Sequence, residues 1–261
     1  MKVGFLQFSP FRNNVVENSE HVSMLLKDTD FDLLVLPELS NSGYLYNGQE
    51  SLKKNSEPVD GSGIFLNTLY TICQKKRSCI ITGFSELSND HLFNSAVAIS
   101  EKGILAHYRK THLYNSEKDL FTPGDTGFID FEYQSVKIGM MICFDWIFPE
   151  VSRKLAIGGT QIIAHPANLV TPYCQPAMIT RCIENRVFII TSNRYGKEIS
   201  GSSSLIFTGR SQIISPMGTI IVRANQFRDK VVIVEIDPSL ALDKNFSDKN
   251  DLFKDRRPQF Y

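Results

Sequence analysis

The 261-residue chain is 42% hydrophobic and 21% charged, which suffices to bury the core of one large domain. Its 28 basic and 28 acidic residues cancel, so charge gives no reason to expect nucleic acid or an anionic membrane as a partner. No apolar run approaches a membrane span, and the opening MKVGFLQFSP reads as a strand rather than a secretory leader; a cytoplasmic protein with its five thiols free is expected.

In chain order, residues 3–8 are predicted to form a strand. The spacing of Val15, Val22, Leu25 and Leu26 predicts a helix over 14–27. A continuous apolar strand, 31–36, runs into Pro37-Glu38, and Gly43, Tyr44 and Tyr46 fall in the loop beyond it. A helix follows over 61–76, then strands over 78–84 and 95–100 and a hairpin-like continuation over 103–108, which ends at Arg109-Lys110. Residues 111–127 read as long, polar and irregular. The hydrophobic run 136–142 is a buried strand that ends at Cys143. Pro149-Glu150 open a helix that stops at Gly158-Gly159. A strand over 161–164 ends in His165-Pro166-Ala167-Asn168, followed by a helix over 175–185 and a strand over 187–192. Short strands near 204–207, 211–214, 220–222 and 231–236 are separated by Gly and Pro turns. No repeat or low-complexity linker interrupts the chain, so residues 1–261 are read as one domain with a charged tail over 243–261. Strands alternating with helices early and clustering late argue for α/β layers with mixed sheets, and the pattern alone leaves three-layer and four-layer arrangements open.

A lone cysteine after a strand is usually a small buried hydrophobe. A catalytic one needs a base or cation, because a free thiol has a pKa of about 8.5. None of the five histidines stands in a cysteine-protease setting. His21 is expected to be solvated on its helix, His91 to lie in a turn, and His107, His112 and His165 to serve structure near strand ends. The chain instead offers a carboxylate, Glu38, and an ammonium, Lys110, each at the end of another strand. Asp145 is expected to fix the turn after Cys143, and Arg181, Glu184 and Asn185 to support their helix. Cys73, Cys79, Cys174 and Cys182 are read as structural thiols. His, Cys and acidic residues never fall at ligand spacing, so no metal and no cofactor is expected.

Three runs in this order, LPELSNSGY, YRKTHLY and ICFDWIFPE, resemble the nitrilase superfamily of carbon–nitrogen hydrolases. The resemblance covers nearly the whole chain, with FTPGDTGF after Lys110, AHPAN after Cys143, and the RCIENRVF step. It implies a four-layer αββα sandwich with two mixed β-sheets, a Glu-Lys-Cys triad, and a homodimer or higher even-numbered oligomer. Residue by residue, Glu38 matches the general base, Cys143 the nucleophile, and Lys110 the cation that stabilises the tetrahedral intermediate together with the backbone N–H of Phe144. Glu117, in NSEKD, matches a second glutamate that lines the site and orients substrate. Trp146 and Asn168 stand where members face the substrate, and Tyr44 is placed to close the pocket. The tail, with Lys254, Asp255, Arg256 and Arg257 flanked by Phe253, Phe260 and Tyr261, is expected to pack on a dimer partner.

Ile147 stands where many members carry an arginine two residues before the Pro of FPE. This CFDW-x-FPE form is most similar to small archaeal and bacterial nitrilase- and amidase-like members. No cation adjoins Cys143 in sequence to read a substrate carboxylate; Arg109 and Arg194 are the candidates to fold into the site. The resemblance implies hydrolysis of a small amide or N-carbamoyl compound by water, releasing ammonia. Alternatives are an aliphatic nitrilase acting through a thioimidate, a non-catalytic scaffold or redox-sensing module, and an acyltransferase using another acceptor.

Overall fold

The computed structural model describes residues 1–260. Tyr261, the last aromatic assigned to the tail, lies outside them. The chain begins with β1 (Lys2–Gln7), α1 (Val15–Leu26), β2 (Leu33–Val35), a short α2 (Gln49–Lys53) and α3 (Ile64–Lys76). Strands β3 (Cys79–Ser88), β4 (His91–Ser100) and β5 (Gly103–Arg109) follow, then one helical turn, α4 (Glu117–Leu120). The second half runs β6 (Asp130–Tyr133), β7 (Val136–Met140), α5 (Pro149–Ile157), β8 (Ile162–Ala167), α6 (Cys174–Asn185) and β9 (Phe188–Asn193). It closes with β10 (Tyr195–Ser200), β11 (Ser203–Thr208), β12 (Gln212–Ile214), β13 (Ile220–Arg223), β14 (Lys230–Glu235), β15 (Asn245–Ser247) and β16 (Asn250–Asp251). Among the described residues no helix is long and apolar enough to cross a membrane.

Two six-stranded mixed sheets result, in the orders β14-β1-β2-β3-β4-β5 and β13-β12-β9-β8-β7-β6. Within them β1–β2–β3 and β7–β8–β9 are parallel. Alternate residues of the apolar runs serve two different cores. Val3, Phe5, Leu33, Val35, Cys79 and Ile81 face the second sheet. Leu6, Leu34 and Ile80 face α1 and α3, where they meet Val22, Leu26, Phe65 and Leu69. On the far side α5 and α6 cover the second sheet with Val151, Leu155, Met178 and Cys182. The layers are therefore α, β, β, α, which resolves the ambiguity of the pattern. Unbroken apolar strands are what a sheet covered on both faces requires.

Several elements differ from expectation. Strands β6 and β10 and helix α2 lie where no element is predicted, because DFEY, YGKEIS and QESLK carry charges on short, partly exposed pieces. Helix α3 begins at Ile64 rather than 61: Gly61 has φ +81°, and the Glu57 carboxylate caps the backbone N–H of Phe65 at 2.7 Å and Leu66 at 3.1 Å. Strand β7 stops at Met140, and Cys143 opens a 3-10 turn, Cys143–Ile147. His21 is not solvated; it bonds Asp229 at 2.8 Å and packs edge-on to Phe11. In the tail, Phe253 packs on the core of its own chain, with Arg153 and Lys244 over its ring.

Two close backbone approaches set the loops after β2 and β5. Gly83 donates its N–H to the Pro37 carbonyl at 3.0 Å and accepts from Ser40 at 2.9 Å. A methyl group at Gly83 would lie 2.4 Å from the Glu38 Cα. Gly124 donates to the Lys110 carbonyl at 2.9 Å, and a methyl there would lie 2.1 Å from the Arg109 oxygen. Gly83→Ala is therefore expected to destabilise the fold by about 1–3 kcal/mol in urea unfolding, because the backbone contact must open. It is also expected to displace Glu38, giving a loss of activity larger than that of an alanine placed at exposed Gly48.

Candidate active site

Four residues singled out from the sequence converge beyond the carboxyl ends of the strands, where α/β folds gather reacting groups. Glu38 follows β2, Lys110 follows β5, Glu117 opens α4, and Cys143 follows β7. Glu38 is 0% exposed, Lys110 1% and Glu117 2%. The Lys110 ammonium donates to Glu38 Oε1 at 2.6 Å and to Glu117 Oε1 and Oε2 at 2.9 and 2.7 Å. Glu117 also accepts the Tyr44 hydroxyl at 2.7 Å and the Tyr114 N–H at 3.0 Å. Asn94, on β4, donates its side-chain amide to Glu38 Oε1 at 2.7 Å.

One ammonium between two carboxylates in a dry space leaves one excess negative charge. Burial, reinforced by the Glu117 charge, raises the Glu38 pKa above the ordinary carboxylate range, with Lys110 opposing. Burial works against the Lys110 charge, yet Glu117 and Glu38 outweigh it and hold its pKa well above normal. Burial and the Glu38 charge likewise push the Cys143 thiol well up, so at neutral pH the resting pair is a thiol beside an acid of raised pKa.

Cys143 has φ +39°, in the left-handed region that a residue with a side chain seldom adopts. Its surroundings hold it there. His165 Nε2 donates to the Cys143 carbonyl at 3.1 Å, and Thr191 Oγ1 donates to His165 Nδ1 at 3.1 Å. Burial lowers the His165 pKa to about 4, so the ring is neutral and Nε2 carries the proton. Asp145 accepts from the Ile142 N–H at 2.8 Å, the Tyr108 hydroxyl at 2.8 Å and His112 Nδ1 at 2.8 Å. It fixes the turn, as expected, and ties it to residues on either side of Lys110.

A cavity of about 300 Å³ opens in front of Cys143. Trp146 and Asn168, the two residues expected to face a substrate, line it together with Phe144, Tyr114, Ile147, Leu169, Val170, Thr171 and Tyr173. No lining side chain is charged. Tyr44 and Glu117 are not on this wall; the Tyr44 ring is buried edge-on to Phe207, with its hydroxyl on Glu117. Asn168 donates its amide to the Glu38 carbonyl at 2.9 Å. Neither candidate arginine folds into the site. Arg109 pairs with Glu86 at 2.6 Å and lies over Phe93. Arg194 pairs with Glu198 and lies over Phe207. Sequence reasoning missed Asn94, Glu198 and the Val170–Tyr173 wall. Glu198 accepts the Tyr44 N–H at 3.0 Å and so anchors that loop. Among the described residues no group of three or more His, Cys, Asp or Glu is placed to hold a metal ion.

Residues 2–243 match the carbon–nitrogen hydrolase family model. The chain is 38% identical over 264 residues to a nitrilase of Pyrococcus abyssi, covering 100% of this chain and 99% of the relative. It is 34% identical over 234 residues to an (R)-stereoselective amidase of a Pseudomonas species, covering 87% and 80%. Its fold matches the crystal structure of a carbon–nitrogen hydrolase from Helicobacter pylori with a TM-score of 0.84 at 23% identity, covering 100% of this chain and 97% of that one.

The neutral, buried His165 makes stability depend on pH. An unfolded histidine takes its proton near 6.5, the folded one only near about 4. Between those values the unfolded chain binds the extra proton, so stability falls as pH drops through this window. The His165 contribution to the loss is expected to reach about 3 kcal/mol by pH 4. Urea unfolding at pH 7 and pH 4.5 checks this, with His165→Asn flattening the difference.

Proposed function

The chain belongs to the carbon–nitrogen hydrolase family, and from that premise we propose that it hydrolyses a small, uncharged amide or N-carbamoyl compound through a thioester on Cys143. The observation that carries the reading is the buried Glu38–Lys110–Glu117 cluster beside a thiol that opens onto an uncharged, largely apolar cavity. As Sγ attacks the acyl carbon, the Glu38 carboxylate takes the thiol proton. The charge that develops on oxygen is met by Lys110 Nζ and the Phe144 N–H. Protonated Glu38 then gives its proton to the leaving nitrogen, and ammonia departs as the C–N bond breaks. Water attacks the thioester with Glu38 again as base, releasing the carboxylic acid and restoring the thiol. Glu117 holds Lys110 charged and in place, and Tyr44 acts through Glu117.

The cavity wall supports an acyl group without charge. Trp146, Phe144, Leu169 and Val170 offer apolar contact, and both nearby arginines are committed to carboxylates elsewhere. A nitrile is the second reading, favoured by the name of the Pyrococcus abyssi relative; it passes through a thioimidate that adds water before ammonia leaves. A homodimer is the proposed assembly. Apolar Ile183, Met217 and Phe246 are exposed on the α6 side of the molecule, and light scattering of the purified protein reads the mass.

The defining experiment measures ammonia release from propionamide, isobutyramide, benzamide, N-carbamoyl amines and propionitrile, beside the charged succinamate and glycinamide. Neutral compounds are expected to exceed charged ones of similar size by at least about tenfold in kcat/KM, because an unpaired charge on an apolar wall loses its hydration. Cys143→Ala is expected to abolish turnover while keeping the wild-type melting temperature within a few degrees. Ammonia release that survives in Cys143→Ala refutes the nucleophile. Hydroxylamine is expected to trap the acyl group as a hydroxamate. Trp146→Ala is expected to raise KM for benzamide more than for propionamide.

A further inference from the structure

We propose that Asn94 is a positioning residue that assigns the two oxygens of Glu38 different tasks, leaving Oε2 as the one that takes the Cys143 proton; this rests on Glu38 being the base. Asn94 lies on β4, in line with Ala96 and Ala98, whose side chains enter the core between the sheets. A polar side chain in that row is costly unless it is hydrogen-bonded. It is 1% exposed, and its amide donates to Glu38 Oε1 at 2.7 Å. The same oxygen accepts Lys110 Nζ at 2.6 Å. Oε1 thus holds two donors, while buried Oε2 accepts nothing from the protein. An unpaired carboxylate oxygen out of water is expensive, and a proton relieves that cost. The asymmetry fixes the plane of the carboxylate and leaves one site free for the proton.

The choice of an amide matters. Burial and the Glu117 charge raise the Glu38 pKa, and the Asn94 bond opposes them. A second cation in its place would oppose them far more strongly and quench the base. A neutral donor fixes direction at a smaller electrostatic effect. Asn94 also accepts the Lys110 backbone N–H at 2.8 Å through its own carbonyl, so one residue sets both partners of the ion pair. That backbone bond survives substitution of the side chain, so the two contributions separate by mutation.

The test compares wild type, Asn94→Leu, Asn94→Ala and Glu38→Gln. Two pH profiles are taken: kcat/KM for propionamide, and the rate of Cys143 alkylation by iodoacetamide, which needs no substrate. Loss of a hydrogen bond to a charged group is expected to lower kcat/KM about ten- to a hundredfold in Asn94→Leu. The acidic limb of both profiles is expected to move up by about one pH unit, because the carboxylate loses a donor and holds its proton to higher pH. KM is expected to change little. Asn94→Ala leaves room for water to replace the donor, so its limb moves in the same direction by less; it carries the test if the leucine variant does not fold. A wild-type profile in a folded Asn94 variant overturns the proposal, and so does a loss that is uniform across pH. Activity retained in Glu38→Gln overturns Glu38 as the base and the Asn94 proposal with it. An inactive Glu38→Gln beside an unmoved Asn94 limb overturns Asn94 alone.

Discussion

The site depends on one electrostatic constraint: a single ammonium serves two carboxylates where water does not reach. Each charge is tolerable only because the others are there, since burying an unpaired ion costs several kcal/mol. Three charges of one ammonium and two acids cannot balance, and the residual negative charge falls where a proton can be taken up. Glu117 is saturated by Lys110, Tyr44 and the Tyr114 N–H, whereas Glu38 keeps one oxygen free. The partner with spare capacity is therefore Glu38, and its raised pKa follows from burial plus the second acid. Removing Glu117 would leave a neutral Glu38–Lys110 pair, whereas removing Lys110 would leave two buried carboxylates without a counter-ion.

The constraint holds only if both sheets are in register with each other. Glu38 and Lys110 follow strands of the first sheet, Cys143 and Asn168 strands of the second. Cross-ties fix the offset. Asn168 reaches the Glu38 carbonyl, and Asp145 reaches Tyr108 and His112 around Lys110. Gly83 and Gly124 let neighbouring backbone lie flat against the Glu38 and Lys110 loops. The sheet–sheet core, formed by Val35, Ile81, Ile138 and Ile162 among others, thus acts as the ruler for the distance between the Glu38 carboxylate and the Cys143 thiol.

Much of this was legible in the sequence. The unbroken apolar runs gave the buried strands, and the charged or sulfur-bearing residues at their ends marked the loops that meet. Glu38, Lys110 and Cys143 stand out because a charge or thiol at the end of a core strand is unusual, whereas Glu117, in the irregular stretch 111–127, is marked only by the family resemblance. Asn94 does not stand out: it precedes the strand predicted over 95–100, and only the β2-β3-β4 order of the first sheet brings its amide to Glu38. Glu198 sits in YGKEIS, whose glycine and charges hide a strand, and its partners lie over a hundred and fifty residues away in sequence at Tyr44 and Leu45. The end of β7 at Met140 is a matter of backbone geometry. The residues Met141 and Ile142 are apolar enough to continue a strand, but Asp145 captures the Ile142 N–H and turns the chain. The fate of Arg109 and Arg194 was equally out of reach, since it depends on Glu86 and Glu198 being buried beside them.

The uncharged cavity wall bears on what happens after the chemistry. In the proposed reaction a neutral amide enters and a carboxylate leaves. The product anion faces two buried acids whose single cation is already shared, and the aromatic and aliphatic wall offers it no counter-ion. Ionisation of the product on contact with solvent therefore makes its return unfavourable. The same lining that suits a neutral substrate disfavours rebinding of the acid, so accumulating product inhibits the reaction little.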